Sequence, residues 1–220
     1  LEELEMVSLS KITLEKKGDS HKINLSKATD QQITINLNWT QQKPTGFFGS
    51  LFGSNKEIDL DLGCYWELKD GTASLIDGLQ FSKGQGGSKD RLTRQGCYTQ
   101  APWVWHCGDD RNGSSSEGEN ILVNPKGIKD LRRLVIYCFI YEGAAKWAES
   151  DAIVTVKVPN QPEIVVEMGK QTDSRTFCAI ATIDFDELQM SVRKDINFFN
   201  GHADCSQYYG WGFEFSAGSK

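Results

Sequence analysis

The stretch Ile58-Asp59-Leu60-Asp61-Leu62-Gly63-Cys64-Tyr65-Trp66-Glu67-Leu68-Lys69 decides how the chain is read. Ile58, Leu60, Leu62, Cys64, Trp66 and Leu68 alternate with Asp59, Asp61, Gly63, Tyr65, Glu67 and Lys69. Successive side chains of a strand point to opposite faces. A period of two therefore predicts a half-buried strand, with the first set inward and the second outward. Asp59 and Asp61 then share the outward face, two residues apart. Asp70-Gly71 supplies a turn into a second strand over 72–79.

The same pattern extends outward from this strand. Over 31–41, Ile33, Ile35, Leu37 and Trp39 face one side, and Thr34, Asn36, Asn38 and Thr40 the other. Residues 134–141 are apolar on both faces and predict a central strand covered on both sides. Further strands are predicted over 12–17, 21–27, 152–158, 163–168 and 211–215, with a hairpin formed by 176–185 and 188–194. Residues 195–209, broken by Asn200-Gly201, predict a short helix. Many short strands with turn signals and no βαβ alternation make the chain all-β. The expected architecture is a two-sheet β-sandwich with long loops and one short helix near 195–209. Residues 1–11 are expected to be a linker or the end of a preceding region, and 12–220 a single domain. The chain does not begin with Met, which points to a fragment or processed product of something longer.

The most distinctive loop is Gly108-Asp109-Asp110-Arg111-Asn112-Gly113-Ser114-Ser115-Ser116-Glu117-Gly118-Glu119-Asn120-Ile121. It is too polar to bury a core, and its oxygens suit a hard cation such as calcium. Set on the helix-loop-helix calcium motif D-x-[DN]-x-[DN]-G-x5-E, Asp110, Asn112, Gly113, Ser116 and Glu119 fall in register. Gly108 stands where the motif demands Asp, and the flanks read as strand. The loop therefore offers similar ligands on a different scaffold. Asp59 and Asp61 are the best source of the missing carboxylates. The competing reading is a solvated turn.

A second loop, 44–54, carries Phe47, Phe48, Leu51 and Phe52 among glycines and hydroxyls. Either it folds back on the core, or it forms an exposed apolar tip that meets a partner or a membrane surface. Residues 84–89 are glycine-rich but lack the phosphate-loop pattern.

Composition removes other classes. The 220 residues are 39% apolar and 25% charged, as in ordinary globular chains. No apolar run reaches the ~20 residues of a membrane span. A net charge of -6 disfavours nucleic acid as a partner. The six cysteines form no C-x-x-C, and Cys64, Cys138 and Cys178 sit inside apolar strand patterns, which predicts free thiols in a reducing compartment. His106-Cys107 with Cys97, or His202 with Cys205, completes no zinc spacing. Three histidines beside no nucleophile motif give no catalytic signature, so the chain is read as a non-enzyme.

Taken together, four stretches resemble the tellurium-resistance family of the TerD type, and within it the TerA branch. They are Lys22-Ile23-Asn24-Leu25-Ser26-Lys27, the Asp59/Asp61 strand, the acidic loop, and 135–147 with Tyr141-Glu142-Gly143-Ala144. The resemblance spans roughly residues 20–215. It implies a β-sandwich that binds calcium at one edge through Asp59, Asp61, Asp109, Asp110, Glu117 and Glu119; the register with the calcium motif adds Asn112 and Ser116 as further candidate ligands. It further implies a cytoplasmic bacterial protein of stress and tellurite resistance. Such a protein works with other tellurium-resistance proteins and is peripheral to the inner membrane. The family loop is more acidic where this chain has Ser114-Ser115-Ser116, so one calcium ion is expected and a second stays open. A TerA-like chain would be the C-terminal, TerD-like part of a longer protein. A calcium-dependent membrane-surface module using Phe47 to Phe52 is the alternative function.

Overall fold

The computed structural model describes residues 9–26, 31–39, 58–80, 87–108, 118–142, 145 and 147–216. Its first strands are β1 (Ile12–Thr13), β2 (Ser20–Asn24), β3 (Ile33–Asn38), β4 (Asp59–Leu68), β5 (Ala73–Asp77), β6 (Gly96–Cys97) and β7 (Val104–His106). Then come β8 (Glu119–Val123), β9 (Leu131–Glu142), β10 (Ile153–Lys157), β11 (Ile164–Glu167), β12 (Phe177–Asp186), β13 (Gln189–Phe199) and the helix α1 (His202–Tyr208). Among the described residues they form a seven-stranded sheet, β1-β11-β10-β3-β8-β7-β6, and a six-stranded sheet, β2-β13-β12-β9-β4-β5. β1 runs parallel to β11, and the long central ladders are antiparallel. The expected two-sheet sandwich is thus the fold, with its short helix at 202–208.

The alternation in β4 places Leu60, Leu62 and Cys64 between the sheets, as predicted. There they join Leu134, Ile136 and Cys138 of β9, Ile35 and Leu37 of β3, Ile121 and Val123 of β8, and Val154 and Val156 of β10. Each such aliphatic side chain contributes about 1.5–3 kcal/mol on burial. β9 lies between β12 and β4, covered on both faces, as its apolar run predicts. All six cysteines are free thiols, with Cys107 alone of the six exposed. Burial pushes the Cys64, Cys138, Cys178 and Cys205 thiols up from their ordinary range.

The outward half of the β4 expectation needs correction. Asp61, Gly63, Tyr65 and Glu67 do share a face, but all four are buried. The C-terminal part of the chain covers Tyr65 and Glu67. Tyr65, Tyr137, Phe139, Phe177 and Phe199 form a second, aromatic core beneath α1 and its sequel, with Trp211 and Phe213 packed on it. A Cβ on Gly63 would lie 2.4 Å from the Tyr137 ring, so the close approach of ring to strand requires glycine. The closing strand predicted over 211–215 is an irregular strap instead. Gly210 (φ 91°) and Gly212 (φ 64°) bend it out of strand geometry, and Trp211 stacks on Tyr65 at 5.2 Å.

Three buried carboxylates tie this cover down. Glu67 accepts from Arg132, Arg133 and the Trp211 indole. Asp77 accepts from the Tyr137 hydroxyl at 2.6 Å and lies 2.7 Å from Nε2 of His202. Asp195 accepts from Thr182, Arg193 and the Tyr209 hydroxyl.

One side margin of the sandwich is closed by Lys194 of β13. Its ammonium donates to the carbonyls of Leu14, Glu15 and Glu167 at 3.1, 3.2 and 2.8 Å. It thereby joins the β13 margin of one sheet to the β1–β11 margin of the other. The apolar residues Phe47, Phe48, Leu51 and Phe52 lie outside the described residues. Among the described residues no helix is long and apolar enough to cross a membrane.

Candidate metal centre

β5 pairs with β4 only over residues 63–67, which leaves the outer edge of the first part of β4 without a strand partner among the described residues. Buried backbone groups must still be satisfied. Side chains from the other sheet do this at Leu62. Glu119, the first residue of β8, accepts the Leu62 N–H at 2.7 Å. His106, the last residue of β7, places Nε2 3.0 Å from the Leu62 carbonyl. The Gly108 N–H donates to His106 Nδ1 at 3.1 Å. That donation assigns the imidazole proton to Nε2, so a neutral ring donates to Leu62. Gln95 steadies the end of β7 from behind: its Nε2 donates to the His106 carbonyl at 2.9 Å. The second margin of the sandwich is therefore closed by Glu119 and His106.

Of the predicted ligands, Asp59, Asp61 and Glu119 lie among the described residues. Asp61 and Glu119 are fully buried, and Asp59 is half-buried. The Glu119 carboxylate touches the residue next to Asp61. The charges of Glu119 and Asp61 both add to the burial that raises the Cys138 thiol, which lies opposite Leu62 on β9. Asp109, Asp110, Asn112, Ser116 and Glu117 lie outside the described residues. The two ends of their loop are placed. Gly108 is tied to His106 where the loop begins. Gly118 (φ 61°) lies where it ends, so close to β3 that a Cβ would be 2.2 Å from the Leu37 carbonyl. Both ends of the acidic loop are thus held beside the Asp61–Glu119 edge.

Chemically, the described part of the edge carries the carboxylates of Asp59, Asp61 and Glu119, and both His106 nitrogens are engaged by backbone. Buried carboxylates are costly to desolvate unless hydrogen bonds or a cation compensate. That donor set fits a hard cation such as calcium rather than zinc or copper. Among the described residues alone, no three His, Cys, Asp or Glu side chains are grouped to hold an ion. The sequence raised His106 only as a zinc ligand and missed its place at the strand edge, because a histidine that caps a strand edge leaves no spacing pattern.

Comparison with known proteins bears on identity. No family model matches the chain. It is 38% identical over 216 residues to tellurium resistance protein TerA of Alcaligenes sp, covering 97% of this chain and 60% of that protein. It is 36% identical over 104 residues to tellurium resistance protein TerZ of Serratia marcescens, covering 46% of each. Among solved structures it is similar to a homologue of telluride resistance protein (TerD) from Streptomyces coelicolor A3(2). That likeness has a TM-score of 0.49 and 11% identity, over 80% of this chain and 95% of the other. The chain thus spans about six-tenths of the length of the TerA relative and under half of TerZ. On the sequence likeness, which runs nearly from end to end of this chain, the chain belongs to the TerD-type tellurium-resistance family.

Proposed function

We propose that the chain is a calcium-binding, non-enzymatic module of stress and tellurite resistance. It works in the cytoplasm with other tellurium-resistance proteins, peripheral to the inner membrane. The tellurium-resistance names of its relatives support the cellular role. The observation that carries the calcium reading is the convergence of buried Asp61 and Glu119 at one sheet edge, with both ends of the acidic loop held beside them.

Asp59, Asp61 and Glu119, with Asp109, Asp110 and Glu117 from the loop, would hold the ion, and Asn112 and Ser116 would add neutral oxygens. When bound, calcium supplies positive charge that offsets carboxylate repulsion and orders the glycine-rich loop. A cation that binds only the folded state adds RT ln(1 + [L]/Kd), about 2.7 kcal/mol at a hundredfold excess over Kd. Calcium is expected to raise the melting temperature and chelator to lower it. Magnesium does less, because it demands a stricter octahedron. Asp61→Asn and Asp109→Asn each remove most of the calcium effect, and Glu187→Gln does not. Calorimetry and melting curves unchanged by millimolar calcium would sink the reading.

A further inference from the structure

The other conspicuous opening lies on the far side of the six-stranded sheet. A cleft of about 700 Å³ is bordered by Lys17, the 171–175 loop, the end of β13 and Tyr208 of α1. Its floor is the last part of β13. β2 pairs with β13 only over residues 189–193. Lys194 then exchanges backbone bonds with Asp19 and Gly18, after which the chain turns away. Among the described residues nothing pairs with 196–199 on that side, although β12 pairs with 197–199 on the other. Every second residue of this run turns its N–H and C=O outward.

Two further features distinguish this edge. Ile196 sits at φ 47°, a conformation that β-branched residues rarely adopt. It belongs to a bulge where Ala179 pairs Asn197 but Ala181 pairs Lys194, and it lines the cleft. In addition, Lys17 makes no ion pair among the described residues. Its ammonium bonds the Asn197 amide oxygen, whereas Arg175 is matched by Asp173. An unpaired edge in a mainly polar cleft, exposed Tyr208 alongside, and a cation without a counter-ion together suit strand addition by a peptide. A four-residue edge falls short of the ~1,200 Å² that a stable dimer of whole domains needs, and suits a short segment.

We infer that the open edge of β13 takes up an extended peptide segment of a partner protein as a further strand, with an acidic side chain of that segment on Lys17. This rests on the reading of the chain as a binding module but not on its ion, because the cleft shares no residue with the β4 edge.

The test uses the isotopically labelled chain and acetylated octapeptides of alternating Val and Thr, with one Glu placed at each position in turn. Amide shifts are followed by NMR in calcium buffer. For one Glu placement, shifts are expected to concentrate at 17 and 196–199. Lys17→Glu, an exposed change whose folding circular dichroism checks, weakens that peptide roughly tenfold, about 1.4 kcal/mol. A peptide with Lys in place of Glu recovers the loss. N-methylation on one set of alternate amides abolishes binding, and on the other set leaves it intact. Three outcomes overturn the inference: no shifts at 196–199 with any peptide at millimolar concentration, tolerance of N-methylation at every position, or the same shifts from free acetate. A calcium-induced rise in melting temperature alongside any of these would show that the edge alone had failed.

Discussion

The six-stranded sheet has two faces that are covered in different ways. Its inner face is aliphatic and thiol-bearing, and a second sheet lies on it. Leu62, Ile136 and Cys138 pack there without needing a directional bond. Its outer face is aromatic and carries Glu67, Asp77 and Asp195, and it is covered by one short helix and an irregular strap. A sheet satisfies its own backbone, so packing is enough to hold it. A strap does not, so the face beneath must supply the missing bonds. The Tyr65 hydroxyl donates to the His202 carbonyl at 2.7 Å, and Arg133 donates to the Tyr209 carbonyl at 3.2 Å. The lesson is that the regularity of a cover sets the chemistry of the face it lies on.

The largest expected effect breaks the inner face. Ile136→Ala empties a fully buried site between the sheets and is expected to cost about 2–5 kcal/mol. In urea melts the loss should be cooperative, with exchange protection falling in both sheets together. A loss confined to β9 and its neighbours would show that the sandwich is not one unit.

The outer face should fail more locally. Asp77→Ala orphans the buried Tyr137 hydroxyl, at about 1–3 kcal/mol for a buried donor left without an acceptor, and also removes the partner of the half-buried His202 ring. Hydrogen exchange is expected to accelerate over 202–215 well before the strands respond. Equal acceleration everywhere would erase the distinction between the faces.

The smallest effect concerns the exposed 171–175 loop beside the outer face. The Arg175 guanidinium holds the Asp173 carboxyl at about 2. A carboxyl depressed in the folded state adds stability that is present above its ordinary value near 3.8 and is lost as pH falls toward 2. Because the pair is exposed, Arg175→Ala is expected to return Asp173 toward that ordinary value in an NMR titration, with the neutral-pH melting temperature unchanged. A fall of several degrees would mean that the loop helps to hold the cover.

The alternation of 58–69 made the inner face legible, because Leu60, Leu62 and Cys64 recur with the pleat. The same alternation grouped Asp61, Tyr65 and Glu67 correctly and misplaced them in solvent. Periodicity reports which residues share a face and is silent on what lies over it. Gly63 and Tyr65, poor choices for a wet face, were the local hint. Trp211 to Phe215 alternate like a strand and lie as a strap, because Gly210 and Gly212 take left-handed conformations that no spacing rule registers. Of the candidate site, the approach of the Glu119 segment to the Asp61 strand was legible, because a paired motif on two segments suggests proximity. His106 and the closure it makes at Leu62 depend on tertiary placement.

The clasp at Lys194 has a consequence for sequence drift. Its three acceptors are main-chain carbonyls, which every amino acid provides. The exposed side chains of Glu15 and Glu167 can therefore change freely without loosening that margin. Its upkeep falls on position 194 alone. The other margin depends on the identity of two side chains at once, Glu119 and His106, so it should tolerate far fewer substitutions over evolutionary time.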